Sequence, residues 1–146
     1  MTIIRCTKKL LKEMGLKPAD LSGAPQEALL GDWYGNLFYH NRKKCLLFAA
    51  EKTLLCFVVT EVTRQQIRKL EEVFREGLFR LLLDEGFQPN QVSQLLDECR
   101  EIEYAATADR GMIGSMNELV KDAQFWLGQL GRPVAPDLPA IHQKLN

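Results

Sequence analysis

The sequence predicts an α+β fold in one domain of 146 residues. Three observations support this class. Apolar residues alternate or run continuously over short stretches between 33 and 59, they recur at helical spacing from residue 63 onward, and the links between the first stretches are short. We therefore expect a largely antiparallel sheet with helices packed on it, in the order β-α-βββ-α-α-β-α.

The first forty residues predict a strand, a helix and a second strand. Residues 2–6 read as a strand, and Thr7 can cap a helix at 8–14. Proline and glycine make 16–31 a loop, with one possible turn at 26–30. At 33–40 the side chains alternate between two faces of a strand.

Two further strands are expected at 45–49 and 54–59. Both are continuous apolar runs, which are typical of strands buried on both faces. Short links join them to each other and to the strand before them. The region 33–60 is therefore predicted to be an antiparallel meander.

The second half predicts three helices and one edge strand. Thr63 to Gln66 fits a capping box at the start of a long helix that ends near Gly86. A second helix begins at Pro89, and residues 102–107 alternate as a strand. A second capping box at Ser115 to Glu118 places a helix start at Ser115. We expect the domain to cover 1–131, followed by a proline-rich tail at 132–146.

Composition excludes several classes of protein. Hydrophobic residues make up 46% of the chain, so it is not disordered. Nineteen basic and nineteen acidic side chains cancel, so net charge does not indicate a strongly basic nucleic-acid binder. No apolar run approaches the ~20 residues of a membrane span, and the first residues lack the form of a signal peptide. We expect a cytoplasmic protein that has no membrane association.

Cysteine and histidine usage argues against a metal or other cofactor. The four cysteines are separated, without a C-x-x-C pair, and the chain has two histidines. A structural zinc site needs four ligands at short paired spacings. We expect no metal and no cofactor, and reduced, buried thiols: Cys6, Cys45, Cys56 and Cys99.

One candidate ligand site is the glycine-containing segment 109–117. If a helix starts at Ser115, its free N–H groups attract anions, and Arg110 can add a bidentate contact. Asn117 lies in the first turn. The segment matches neither common nucleotide-binding glycine motif, and the alternative is a capped helix without a ligand.

Two other sets of residues could bind a ligand. Trp33 and Asn36 could hold a base or sugar by stacking and amide hydrogen bonds, or else belong to the core and to a loop contact. A basic set can hold phosphates if its helix and turn lie together, and otherwise it is a solvated surface. It comprises Arg5, Lys8, Lys9, Lys12, Arg42, Lys43 and Lys44.

An enzyme is the alternative class. His40 is the one plausible base, with Ser115 or Cys45 as its partner, but no nucleophile elbow is present. Asp32 and Asp109 are the nearest candidates for a nuclease-like metal site. An enzyme, a hydrolase or nuclease, would have its site near 33–40 and 109–117.

Four blocks together resemble a known family. They are IRCTKKLLKEM at 4–14, GDWYGNLF at 31–38, RKKCLLFAAEKTLLCFVV at 42–59 and DRGMIGSMNEL at 109–119. The chain resembles a small bacterial family described as a domain of unknown function, whose members are stand-alone chains of this size. This resemblance implies no activity.

We therefore predict a binding or regulatory module rather than an enzyme. Its partner would be a protein or an anionic ligand such as nucleic acid, and a homodimer is a third possibility.

Overall fold

A five-stranded mixed sheet organises the fold in the computed structural model, which describes residues 1–23, 28–130 and 138–146. Its spatial order is β4-β3-β2-β1-β5. The strands are β1 (Thr2–Cys6), β2 (Trp33–His40), β3 (Lys43–Ala50), β4 (Cys56–Val59) and β5 (Ile102–Ala106). The antiparallel meander β2-β3-β4 is confirmed. Strand β1 is parallel to both of its neighbours, β2 and β5.

Helices cover both faces of this sheet. Helices α1 to α4 pack on one face, and α5 and α6 pack on the other. They are α1 (Lys8–Met14), α2 (Arg64–Arg68), α3 (Leu70–Asp84), α4 (Pro89–Glu98), α5 (Arg110–Leu130) and α6 (Leu138–Leu145). The predicted α+β class and single domain are confirmed.

The alternation of β2 separates two hydrophobic cores. Trp33 belongs to the core under α3, where its ring meets those of Phe57 and Phe74 edge-on at 5.9 and 5.2 Å between centroids. Tyr34 and Phe38 belong to the core under α5. Successive side chains of a strand point to opposite faces, so neighbours in sequence enter different cores.

The predicted long helix from residue 64 is two helices. The capping box at Thr63 is confirmed, since its hydroxyl accepts from the Gln66 N–H at 3.2 Å and the Gln66 side chain accepts from the Thr63 N–H at 2.8 Å. Lys69 then leaves the helical conformation (φ −115°, ψ 50°) between α2 and α3. No glycine or proline marks this break, so the apolar period alone did not reveal it.

The C-terminal segment is part of the fold where it is described. Residues 138–145 form α6, and Ile141 is fully buried in the core beneath α5 and α6. The expectation of a tail is therefore wrong for this stretch. The proline-rich part at 131–137 lies outside the described residues, as does part of the turn expected at 26–30.

All four cysteines are free and buried, as expected. Burial raises the pKa of the Cys6 and Cys56 thiols to about 12. These thiols therefore stay protonated at neutral pH and pack as small apolar groups. Among the described residues, no helix is both long and apolar enough to cross a membrane.

Candidate nucleic-acid interface

The residues predicted to bind a ligand near β2 and α5 do not converge on one site. Trp33 is 3% exposed and lies in the core under α3, whereas α5 covers the opposite face of the sheet. Its ring is therefore unavailable to a base or sugar. Arg110 and Asn117 are exposed on α5. A site combining Trp33 with the 109–117 segment would have to pass through the sheet.

Helix α5 starts six residues earlier than the capping-box motif predicts, because a cap at Ser115 would make Met116 the first helical residue. Its first residue is Arg110, and Asp109 caps it by accepting the Met112 N–H at 2.9 Å. Ser115 is half-buried inside the helix, so the prediction that it caps a helix is wrong. The physical reason is that the Asp109 carboxylate is a strong cap and helix dipoles favour an anion there. The free N–H groups expected at 114–117 are consequently bonded within the helix.

Other polar residues that were considered for ligand binding form hydrogen bonds and an ion pair near the ends of strands. The Thr7 hydroxyl donates to Asn36 Oδ1 at 3.0 Å instead of capping α1. Arg5 pairs with the buried carboxylate of Asp32 at 2.8 Å and also donates to the Ala106 carbonyl at 3.0 Å. Arg5 is therefore a structural cation that links β1 to its neighbours, and its guanidinium is not available to a phosphate.

The basic helix and the basic turn do lie together. Glu13, on α1, accepts from Lys44 Nζ at 2.9 Å, and Lys44 directly follows Arg42 and Lys43 at the β2–β3 turn. The condition placed on the basic set, that its helix and turn be neighbours, is thus met. Lys8, Lys9, Lys12, Arg42 and Lys43 are all exposed.

Helix α2 adds cations that sequence reasoning missed. Arg68 lies against the end of α1, where a Cβ built on Gly15 would be 3.4 Å from its Nη1 atom. Arg64 and Arg68 are exposed at i, i+4 spacing, while Ile67 between them is buried. This spacing was a usable signal, because residues four apart share one face of a helix. We call α1, the β2–β3 turn and α2 together the basic surface.

The pKa of Glu13, the one carboxylate of α1, shows the effect of the surrounding cations. The hydrogen bond from Lys44 lowers the pKa of Glu13, and the charges of Lys44, Arg64 and Arg68 lower it further. Three cations from two separate elements therefore act on one anion. They outnumber it, so a net positive potential remains at this surface.

The charges of the whole chain are strongly segregated. Segments 7–17, 41–44 and 61–69 hold ten lysines and arginines and two acidic residues. The rest of the chain holds nine basic and seventeen acidic residues. A net charge of zero therefore conceals a local excess of eight positive charges, balanced by an equal negative excess elsewhere.

Three of the residues considered for catalysis, Cys45, Asp32 and Asp109, have structural contacts in the fold. The Cys45 thiol is buried, and burial raises its pKa, which disfavours the reactive thiolate. Asp32 is paired with Arg5 and Asp109 caps a helix. Among the described residues, no three histidine, cysteine or acidic side chains are grouped closely enough to hold a metal ion.

The fold and this surface define a small α+β domain with helices on both faces of a mixed sheet and one concentrated basic surface. The family model for a domain of unknown function, DUF6933, matches residues 3–146. The chain belongs to this family, and the resemblance seen in its four sequence blocks is confirmed. No curated protein and no solved structure matches it significantly.

Proposed function

We propose that this protein is a binding module for nucleic acid and that it uses the basic surface. The observation that supports this is the segregation of ten cationic side chains into three segments that the fold makes neighbours, in a chain of zero net charge. Lysine and arginine that neutralise phosphates release condensed counterions, and this supplies most of the affinity of non-specific binding.

The form of the surface favours a polyanion over a small ligand. Its cations are spread over two helices and a turn, and Lys12, Arg42 and Arg64 are exposed and form no ion pair with the described residues. A phosphate backbone offers many charges in a row and can meet such a spread set. The remaining surface is acidic, so it orients the molecule and disfavours binding elsewhere.

We also propose a reducing cytoplasm, in a bacterial cell, as the setting. Four free, buried cysteines support a reducing compartment. The resemblance of the four sequence blocks to a bacterial family supports the bacterial setting. The following experiment distinguishes nucleic-acid binding from binding to a protein partner or to a second copy of the chain.

Fluorescence anisotropy with labelled oligonucleotides tests the proposal. One variant removes three cations of the basic surface by Lys12→Gln, Arg64→Gln and Arg68→Gln. Its matched control removes three cations elsewhere, by Arg80→Gln, Arg100→Gln and Lys121→Gln, each of which makes only an exposed local ion pair. Both variants change net charge by the same amount.

The first variant should bind roughly 10–100-fold more weakly at low salt, since each lost phosphate contact forgoes one counterion release. The control should bind within about twofold of the unsubstituted protein. Equal losses in both variants would show that only net charge matters. A different result would be that the unsubstituted protein binds no oligonucleotide and sediments as a dimer or a protein complex. That result would contradict nucleic-acid binding and would show that the basic surface binds a protein.

A further inference from the structure

The turn between β2 and β3 is strained at a basic residue. Asn41 and Arg42 form the two-residue link, and both have left-handed backbones, with φ of 50° and 64°. Positive φ at both central positions is the signature of the type I′ hairpin turn, whose second position is ordinarily glycine. A bulky arginine there carries a backbone cost that glycine would not.

No side-chain contact of Arg42 with the described residues offsets that cost. The Arg42 side chain is exposed and makes no hydrogen bond or ion pair with the described residues. The fold therefore gains nothing from this guanidinium. Strained residues of this kind concentrate at functional sites, and here the strained residue projects from the basic surface.

An exposed aromatic ring lies beside this turn. Tyr39 is 46% exposed and pairs across the strands with Lys44. Directly opposed residues of an antiparallel pair share one face, so the ring and the ammonium stem lie side by side. Among the described residues, the other large exposed apolar side chains belong to different segments: Leu29, Leu54, Phe79, Leu83 and Phe125. The backbone of Tyr39 is held in place because its carbonyl accepts from Gln124 Nε2 at 3.2 Å.

We propose that two residues of this hairpin tip, Tyr39 and Arg42, contact single-stranded nucleic acid. The Tyr39 ring supplies a stacking platform for one base, and the Arg42 guanidinium binds the adjacent phosphate or stacks on the next base. In a duplex the base faces are already covered, so this tip favours single strands. The inference rests on the proposed function and names the class of nucleic acid that the same surface binds.

Two glycine substitutions separate binding from folding. Arg42→Gly creates the favoured Asn-Gly turn, so we expect a higher thermal midpoint together with about tenfold weaker binding to a single-stranded oligonucleotide. Asn41→Gly is the matched control in the same turn and should leave affinity within about twofold. A variant that folds better yet binds worse excludes unfolding as the cause.

Tyr39→Ala and Tyr39→Phe test the ring. We expect Tyr39→Ala to weaken binding to single-stranded DNA and RNA about tenfold, to leave duplex binding unchanged, and Tyr39→Phe to retain binding. If Arg42→Gly and Tyr39→Ala bind single strands like the unsubstituted protein, the tip proposal is overturned. If the α1–α2 triple variant still loses binding in that case, the proposed function itself survives.

Discussion

The side chain of Asn146 pairs with both backbone groups of Cys56 on the edge strand β4. Its Oδ1 accepts from the Cys56 N–H at 2.8 Å, and its Nδ2 donates to the Cys56 carbonyl at 2.8 Å. One turn earlier, His142 Nε2 accepts from the Val58 N–H at 2.9 Å. Two side chains therefore bind the β4 edge as a neighbouring strand would, which protects an edge open to pairing with another chain.

Asn146→Ala should lower the free energy of unfolding by about 1–3 kcal/mol, because it leaves buried Cys56 backbone groups without partners. Gln143→Ala, at an exposed position of α6, is the control and should change stability by less than about 0.5 kcal/mol. Urea denaturation measures both. Equal stability of the two variants would mean that the Asn146 side chain does not protect this edge.

His142 should make stability depend on pH. Desolvation lowers the pKa of His142 in the fold, while the unfolded chain has the ordinary value of about 6.5. The unfolded state therefore binds more protons, and stability is full above about pH 6.5 and falls as pH decreases through the window below it. Protonation also removes the Nε2 lone pair that accepts from Val58.

Denaturation curves at pH 7.5 and 5.5 should show this loss in the unsubstituted protein. His142→Gln should reduce the pH dependence, whatever its effect on absolute stability. His40→Gln should preserve the dependence, because His40 lies elsewhere, at the end of β2. A pH dependence that survives His142→Gln but disappears in His40→Gln would contradict the assignment.

The start of α5 can be tested by comparing two possible caps. Asp109→Ala should cost ~1 kcal/mol, because it removes the acceptor of the Met112 N–H. Ser115→Ala should cost less than about 0.5 kcal/mol, since alanine is favourable inside a helix. If Ser115→Ala destabilised the protein more than Asp109→Ala in thermal or chemical unfolding, the result would place the helix start at Ser115.

Two helical glycines should respond in opposite directions to alanine. A Cβ at Gly77 would lie 2.4 Å from Phe57 Cε2, so Gly77→Ala should destabilise by about 1–3 kcal/mol through overpacking, less the gain in helix propensity. No atom of the neighbouring described residues lies within 4 Å of the same position at Gly128, and Gly128→Ala should stabilise by about 0.5–1 kcal/mol. Equal responses would contradict the close approach of α3 to β4.

Local patterns predicted the elements well, and long-range contacts decided the rest. The bounds of α1 and β2 agree with the expected ones, because strong periodicity and flanking turn residues mark them. The capping-box motif at Ser115 gave the wrong helix start, because the same residue pattern also occurs inside helices. The helix had already begun upstream, after the cap at Asp109. The parallel pairing of β1 with β5 depends on partners 100 residues apart, as in Thr2 opposite Ile102.

The candidate interface was predictable only in part. The cations of α1 and of the β2–β3 turn follow from sequence runs. That Arg64 and Arg68 join them depends on the packing of α2 beside α1, to which no local pattern points. Net charge argued against a nucleic-acid binder because it averages over a segregated surface.

The salt dependence of binding tests the central claim most directly. A single-stranded oligonucleotide is titrated at several salt concentrations, for the unsubstituted protein and for the Lys12, Arg64 and Arg68 triple variant. With ~5 phosphate contacts, the plot of log K against log salt should have a slope of about −3.5, and the triple variant should be shallower by about 2. A slope near zero, or equal slopes for the two proteins, would contradict nucleic-acid binding by the basic surface.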